Sequence, residues 1–281
     1  MTSSDKLIAF QGAPGANSDI ACRTAYPSMT SMPCNTFADA FAAVQNGDAA
    51  LAMIPIDNTV AGRVADIHHL LPDSGLHIVA EHFERINHQL LAFPGAKISD
   101  IREVHSHIHA LNQCRKLLHE LGVKAVVHAD TAGAAEDIAR WGDKTRASIS
   151  SRLAAEVYGL EILRSDIEDA EHNTTRFVVL ARDSDWPAAS SGDLITSFVF
   201  RVRNIPAALY KAMGGFATNG VNMIKLESYV GEGFVVAQFY AEVEGHPEDR
   251  SVKLALEELA FFSHEVTVLG VYPANAYRKS A

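Results

Sequence analysis

The stretch Lys6-Leu7-Ile8-Ala9-Phe10-Gln11-Gly12-Ala13-Pro14-Gly15 decides how the fold is read. An apolar run over residues 6–11 stops at a Gly-Ala-Pro-Gly turn. Residues 16–26 then take helical spacing, with Asn17 and Ser18 placed to cap the helix. The same strand-turn-helix unit returns downstream. Asn35-Thr36 opens an amphipathic helix through Phe37, Phe41 and Val44, residues 50–56 form a buried strand, and Asp57-Asn58-Thr59 leads toward a helix over 64–71. Strands follow at 76–93, 101–104, 123–128 and 147–150, with helices at 111–121, 132–141 and 152–158, before a β-branched and aromatic strand at 174–181. Alternation of this kind predicts an α/β layer architecture.

The texture changes at Asp183-Ser184-Asp185-Trp186-Pro187-Ala188-Ala189-Ser190-Ser191-Gly192-Asp193, which is rich in turn formers and has no periodicity. It reads as a linker, 184–194, between a first domain, 1–183, and a second, 195–281. The second domain predicts a strand at 195–202, a helix capped by Asn204 with Pro206 in its first turn, strands at 221–229 and 234–243, a helix at 252–262 and a strand at 264–272. That order is β-α-β-β-α-β, the ferredoxin-like arrangement. So small a module has open sheet edges, which pairing with a second copy would cover.

Composition bounds the function. Among 281 residues, 24 Lys and Arg stand against 34 Asp and Glu, a formal charge of −10, and no dense basic run interrupts that balance, so nucleic acid is not an expected partner. With 48% hydrophobic and 21% charged residues the chain has the apolar content of an ordered protein. The start Met1-Thr2-Ser3-Ser4-Asp5-Lys6 lacks the pattern of a secretory signal, and the longest apolar segment, 49–56, is far below the roughly 20 residues that span a bilayer. Neither export nor a membrane is expected. Cys22, Cys34 and Cys114 are odd in number and far apart, which excludes a disulfide framework and fits a reducing cytoplasm.

Small polar residues mark several turns that precede helices: Gly12 to Ser18, Asp57-Asn58-Thr59, Ser106-His107, Asp130-Thr131 and Ser150-Ser151. Each can cap its own helix, and together, if they converge, they would offer N–H groups to an anion. Gly12-Ala13-Pro14-Gly15 is not the GxGxxG fingerprint, so no dinucleotide cofactor is expected. In His105-Ser106-His107-Ile108-His109 the strand gives way to a helix, which breaks the spacing a metal half-site needs, and no metal is expected. Arg176 either pairs with the acidic cluster Asp166, Glu168, Asp169 and Glu171 or grips a ligand carboxylate in two-pronged fashion.

Read together, Phe10-Gln11-Gly12-Ala13-Pro14-Gly15, Pro55-Ile56-Asp57-Asn58-Thr59, Ser106-His107, Leu111 with Gln113-Cys114-Arg115, Ala155-Glu156 with Tyr158-Gly159-Leu160, and Asn173-Thr174-Thr175-Arg176-Phe177 resemble prephenate dehydratase. The second domain resembles an ACT regulatory module through Asn204-Ile205-Pro206-Ala207-Ala208-Leu209, Gly220-Val221-Asn222 and Leu226-Glu227-Ser228. The resemblance runs from about residue 6 to residue 273. It implies a catalytic domain of two α/β lobes, similar to type II periplasmic binding proteins. The second lobe would cover about 86–170, with segments 76–93 and 174–181 as crossings. The implied reaction removes carbon dioxide and the ring hydroxyl from prephenate to give phenylpyruvate on the way to phenylalanine, without a metal or organic cofactor.

This chain departs from the family pattern at Ala16, at His105-Ser106-His107-Ile108-His109, at Thr59, at Ala207 and at Tyr229-Val230. The expected substrate site comprises Asn58, Thr59, Ser106, His107, Thr131 and Phe177. There Arg176 holds a carboxylate and Thr175 donates toward the departing hydroxyl, with His107 the rival proton donor. L-phenylalanine is expected between two ACT modules of a homodimer or homotetramer, near Ala208, Leu209, Asn222, Met223, Glu227 and Ser228, and to slow the enzyme. Arogenate in place of prephenate, and a non-catalytic amino-acid sensor, are the competing readings.

Overall fold

The apolar run that opens the chain becomes strand β1 (Leu7–Gln11), with Ile8, Ala9 and Phe10 fully buried. In this computed structural model, residues 6–64, 67–170, 172–203, 205–230 and 236–279 are described. The chain divides into two compact units, Met1–Val64 with His82–Phe177, and Ala65–Glu81 with Val178–Ala281.

From β1 the chain runs through α1 (Asn17–Ala25), β2 (Thr30–Cys34), α2 (Phe37–Asn46), β3 (Leu51–Asn58), the two-residue β4 (Gly62–Arg63), α3 (Ile67–Leu70) and β5 (His77–Arg85). It continues as β6 (Gln89–Ala92), β7 (Glu103–Ser106), α4 (Ile108–Gln113), α5 (Arg115–Leu121), β8 (Lys124–Val127), α6 (Thr131–Trp141), β9 (Arg146–Ser150), α7 (Arg152–Tyr158), β10 (Glu161–Arg164) and β11 (Thr174–Ala181). The remainder is β12 (Leu194–Val202), α8 (Ala208–Thr218), β13 (Met223–Val230), β14 (Val236–Glu244), α9 (Arg250–Phe262) and β15 (Ser263–Pro273).

Two sheets follow from this order. One runs β2-β1-β3-β11-β5, with β4 on β3, and the parallel register Ile8↔Leu51 places β1 against β3. The other runs β10-β6-β9-β7-β8 and lies wholly within Gln89–Arg164. On one face it carries a core of Leu90, Ala92, Val104, Leu111, Ala147 and Ile149. Thr36 caps α2 as the sequence predicts: its hydroxyl accepts from the Asp39 N–H while Asp39 accepts from the Thr36 N–H, both at 3.1 Å.

Several expectations are corrected. Neither Asn17 nor Ser18 caps α1, because both lie inside it. Asp19 instead accepts from the Gly15 N–H at 2.9 Å. Segment 76–93 is not one strand but β5 and β6 in different sheets, an exchange that period-2 alternation cannot register. Segment 111–121 breaks at the buried Cys114, whose φ of −125° leaves the helix. Asp57-Asn58-Thr59 does not start a helix, since the chain turns back onto β3 as β4. Strand β10 was not anticipated. Pro206 precedes α8 rather than entering its first turn, with Ala207 at the N-cap, and Asn204, Phe234 and Val235 lie outside the described residues.

The last six elements form the β-α-β-β-α-β module, with antiparallel sheet order β13-β14-β12-β15. Phe198, Phe200, Phe216 and Phe239 stack at its core, and both helices cover one face. The loop joining β11 to β12 contains the stretch read as a linker. At the other face of the second unit two buried carboxylates meet one guanidinium. Arg278 donates to Glu81 at 2.7 and 2.8 Å and to Glu242 at 3.4 Å, and Tyr240 donates to Glu242 at 2.5 Å. No helix among the described residues is long and apolar enough to cross a membrane.

Candidate active site

Strand β3 ends at Asn58, and β11 begins beside it. The orientation of Asn58 follows from its backbone surroundings. Its side-chain oxygen accepts from the N–H groups of Val60, at 2.9 Å, and Ala61, at 2.7 Å, so its nitrogen must face the other way. There it donates to Thr175 Oγ1 and to Asn173 Oδ1, each at 2.9 Å. Since Thr175 Oγ1 is an acceptor from Asn58, its own proton is directed elsewhere, and it has no acceptor among the described residues. Thr175 is therefore set to donate.

The same logic runs outward. Asn173 is 1% exposed and uses its oxygen for Asn58, so it turns its nitrogen to Gln113 Oε1, 3.0 Å away. Gln113 Oε1 also lies 2.8 Å from His88 Nε2. As that oxygen can only accept, the hydrogen of His88 sits on Nε2. His88 is buried, and burial pulls its pKa below the ordinary histidine value, so it stays neutral. Gln113 keeps its amide N–H groups without an acceptor among the described residues and is part-exposed. Asn173, Gln113 and His88 were absent from the expected site. The signal in the sequence was three amides and an imidazole spread over 116 positions, since 173 − 58 + 1 = 116, which only the fold gathers.

Arg176 is 6% exposed and its Nη1 lies 3.6 Å from Asp57 Oδ2. Of the acidic residues weighed as an alternative partner, Glu171 lies outside the described residues, and Glu168 and Asp169 make other contacts. Glu168 accepts from the His88 N–H at 2.9 Å, and Asp169 accepts from the Arg115 N–H at 2.9 Å. Because successive strand residues face opposite sides, the Asn58–Thr175 pair and the Asp57–Arg176 pair occupy opposite faces of the sheet.

Of the other expected site residues, Thr59, Ser106 and Phe177 are corrected. The Thr59 hydroxyl gives its proton to the His172 carbonyl at 2.6 Å and accepts from the Thr174 N–H at 2.9 Å, so it ties two chain segments together. Ser106 is fully buried and donates to the Ile149 carbonyl at 2.6 Å. Phe177 is a core side chain, 1% exposed. Thr131 begins α6, with Asp130 as the cap that accepts from the Gly133 N–H at 2.6 Å. His107 is the N-cap of α4, and burial, then the neighbouring His109, lowers its pKa. The Gly12-to-Gly15 turn is not an anion cradle, because α7 closes on it. Ser151 donates to the Gly15 carbonyl at 2.5 Å, Tyr158 donates to the Pro14 carbonyl at 3.0 Å, and a Cβ on Gly15 would meet Ala154 Cα at 2.7 Å.

In the second unit the expected effector residues fall at two ends of one sheet. Met223 aligns with Val243 and through it with Thr196, near the start of β12. Ser228 aligns with Phe239 and through it with Phe200, near the end of β12 that leads to Ala208 and Leu209. Asn222 precedes β13 and is exposed, and Glu227 pairs with Lys225 at 3.2 Å.

Known proteins resemble this chain along most of its length. The prephenate dehydratase family model matches residues 8–185. A Komagataeibacter europaeus protein described as a bifunctional N-acyl-homoserine lactone acylase and prephenate dehydratase is 52% identical over 276 residues, covering 98% of each chain. An arogenate and prephenate dehydratase of Arabidopsis thaliana is 36% identical, covering 96% of this chain and 73% of its own. The crystal structure of a prephenate dehydratase from Arthrobacter aurescens in complex with L-Phe superposes with a TM-score of 0.87 at 30% identity, covering 95% of this chain and 90% of the other.

Proposed function

The chain belongs to the prephenate dehydratase family and is an enzyme of that kind, and from this premise we propose that it converts prephenate to phenylpyruvate with Thr175 as the proton donor. Prephenate dianion and one proton give phenylpyruvate, carbon dioxide and water. The bond from the ring to its carboxylate breaks, its electrons enter the ring, and the hydroxyl leaves with the Thr175 proton, which solvent then restores to Oγ1. No electrons are gained or lost overall. The Asn58-to-Thr175 hydrogen bond carries the reading, because it turns the Thr175 proton outward and stabilises charge on Oγ1 as that proton is shared. A threonine hydroxyl is a weak acid, but aromatisation drives the step strongly downhill, and a placed donor stabilises charge on the departing oxygen before full transfer.

A substrate with two carboxylates is repelled at long range by a protein of charge −10, so attraction must be local. Arg176 supplies positive charge behind the strand, while the amide of Gln113 and the start of α6 at Thr131 supply N–H groups to the substrate's carboxylates. Purified protein mixed with prephenate should release phenylpyruvate, and Thr175→Val should remove at least 99% of that turnover. A wild-type chain that forms none ends this reading.

The β-α-β-β-α-β module is proposed as an ACT regulatory domain that binds L-phenylalanine. The Arthrobacter aurescens relative carries that ligand in its crystal structure. Since Ala208 and Leu209 sit at the opposite end of the sheet from Asn222 and Met223, a site using both groups takes them from two copies. Added L-phenylalanine should slow turnover and raise the thermal midpoint; no change in either makes the module structural.

Two relatives motivate further assays on the same chain. The Arabidopsis thaliana protein is described as acting on arogenate as well, and the Komagataeibacter europaeus protein as an acylase. Arogenate turnover to phenylalanine and release of homoserine lactone from its N-acyl form test these activities directly.

A further inference from the structure

His88 lies outside every motif that pointed to the reaction, yet it ends the polar chain that starts at Thr175. It is 3% exposed, and its Nε2 is 2.8 Å from Gln113 Oε1. Its place is over-determined by the backbone on both sides. Glu168 accepts from its N–H at 2.9 Å, its carbonyl accepts from the Ile167 N–H at 3.0 Å, and the Asn173 carbonyl accepts from the Ile86 N–H at 2.8 Å.

A glutamine amide can rotate half a turn about its terminal bond and exchange its oxygen and nitrogen. Asn173 alone would favour the observed orientation by a single hydrogen bond, which leaves a flipped minority able to reach the wrong atom toward the substrate. A second donor on the same oxygen removes that ambiguity, because a flip would bring the Gln113 nitrogen against two donors. Burying a neutral imidazole there is justified only if its one N–H is used, and the partner it meets is the side chain whose free end faces outward.

We propose that His88 is a positioning residue for the dehydratase reaction: its Nε2–H, with Asn173, locks the Gln113 amide so that the Gln113 N–H groups face the substrate. This rests on the proposed reaction and adds to it a residue that never touches the substrate. The lock acts through Gln113 alone, which separates it from a packing role.

The test is a double-mutant cycle in the full chain, read by prephenate turnover. His88→Leu should lower kcat/KM at least tenfold, and His88→Gln, which keeps a donor on a side chain of similar reach, should recover most of that loss at an unchanged thermal midpoint. In a Gln113→Ala background, His88→Leu should change kcat/KM by less than twofold. Additive losses in the two backgrounds, or His88→Leu equal to wild type, overturn the proposal. Nitrogen-15 NMR of histidine-labelled protein should show His88 protonated on Nε2, and the Nδ1 tautomer overturns it independently of activity. A wild-type chain inactive on prephenate overturns the parent reaction and this role together, whereas an active chain with additive losses overturns only the role.

Discussion

Asn58 Nδ2 donates to Thr175 Oγ1 across 2.9 Å, joining the last residue of one strand to the second residue of another that lies 117 positions later. The direction of that bond is fixed by two backbone N–H groups on the Asn58 oxygen rather than by anything Thr175 does. Asn58→Asp replaces the donor by an acceptor, so the Thr175 proton should swing toward the new carboxylate and away from substrate. Loss of one donor to a developing oxyanion costs about 10²–10³ in kcat. Asn58→Asp and Asn58→Ala should each fall in that range with KM changed less than kcat, and near-normal turnover in either removes Asn58 from the mechanism.

Proton donation by Thr175 predicts a turnover rate without an ionisation between about pH 5 and 8. His107, as donor, would give a rate that falls as pH rises through that interval, and the lowering of its pKa by burial would move that fall toward the acid side. The same effect governs stability. His88 and His107 both have pKa values lowered chiefly by burial, so the unfolded chain takes up these protons near pH 6.5 while the folded chain resists them until the pH is lower. Their contribution is complete above about pH 6.5 and is lost as pH falls below it. The thermal midpoint should drop on acidification from pH 7 to 5, and His88→Gln should blunt that drop; a midpoint independent of pH over this interval contradicts both.

Ala207, at the start of α8, has φ of +63°, a left-handed conformation in which its Cβ crowds the backbone. Removing that Cβ relieves about 1–2 kcal/mol of strain, offset by about 0.5–1 kcal/mol of extra chain entropy in the unfolded state. Ala207→Gly should stabilise the second unit by about 0.5–1 kcal/mol, measurable as a higher denaturant midpoint, and a lower midpoint refutes the strain.

Arg278 faces Glu81 and Glu242, whose side chains are 0% and 1% exposed. Removing the shared cation leaves two buried carboxylates without it, and breaking a buried ion pair costs about 3–5 kcal/mol. Arg278→Ala should destabilise the protein by about 3 kcal/mol or more, with Arg278→Lys intermediate because it cannot bridge both carboxylates in the same geometry. Unfolding curves of the two variants that overlay the wild type would show the cluster to be inert.

Local pattern was legible wherever a segment buries one continuous face. Thr36 capped its helix, residues 152–158 and 174–181 fell where periodicity put them, and the β-α-β-β-α-β order was readable because turn formers such as Asn219-Gly220 and Gly245 separate several of its elements. Exchange of sheets between β5 and β6 was not, since alternation reports which side of a strand is buried and not which strand lies beside it. Thr175, Arg176 and Asn58 stood out through their motifs. Thr59 and Ser106 stood out for the same reason and proved to be committed to backbone carbonyls, because a hydroxyl in sequence carries no sign of where its proton goes.

By itself the sequence determined the α/β class, the order of elements and the residue types available for the chemistry, all of which depend on neighbours a few positions apart. Tertiary structure alone decided which donors remain to act. Hydrogen-bond direction is settled by closing a network, and the network from His88 through Gln113, Asn173 and Asn58 to Thr175 closes only when segments far apart in the chain are folded against one another.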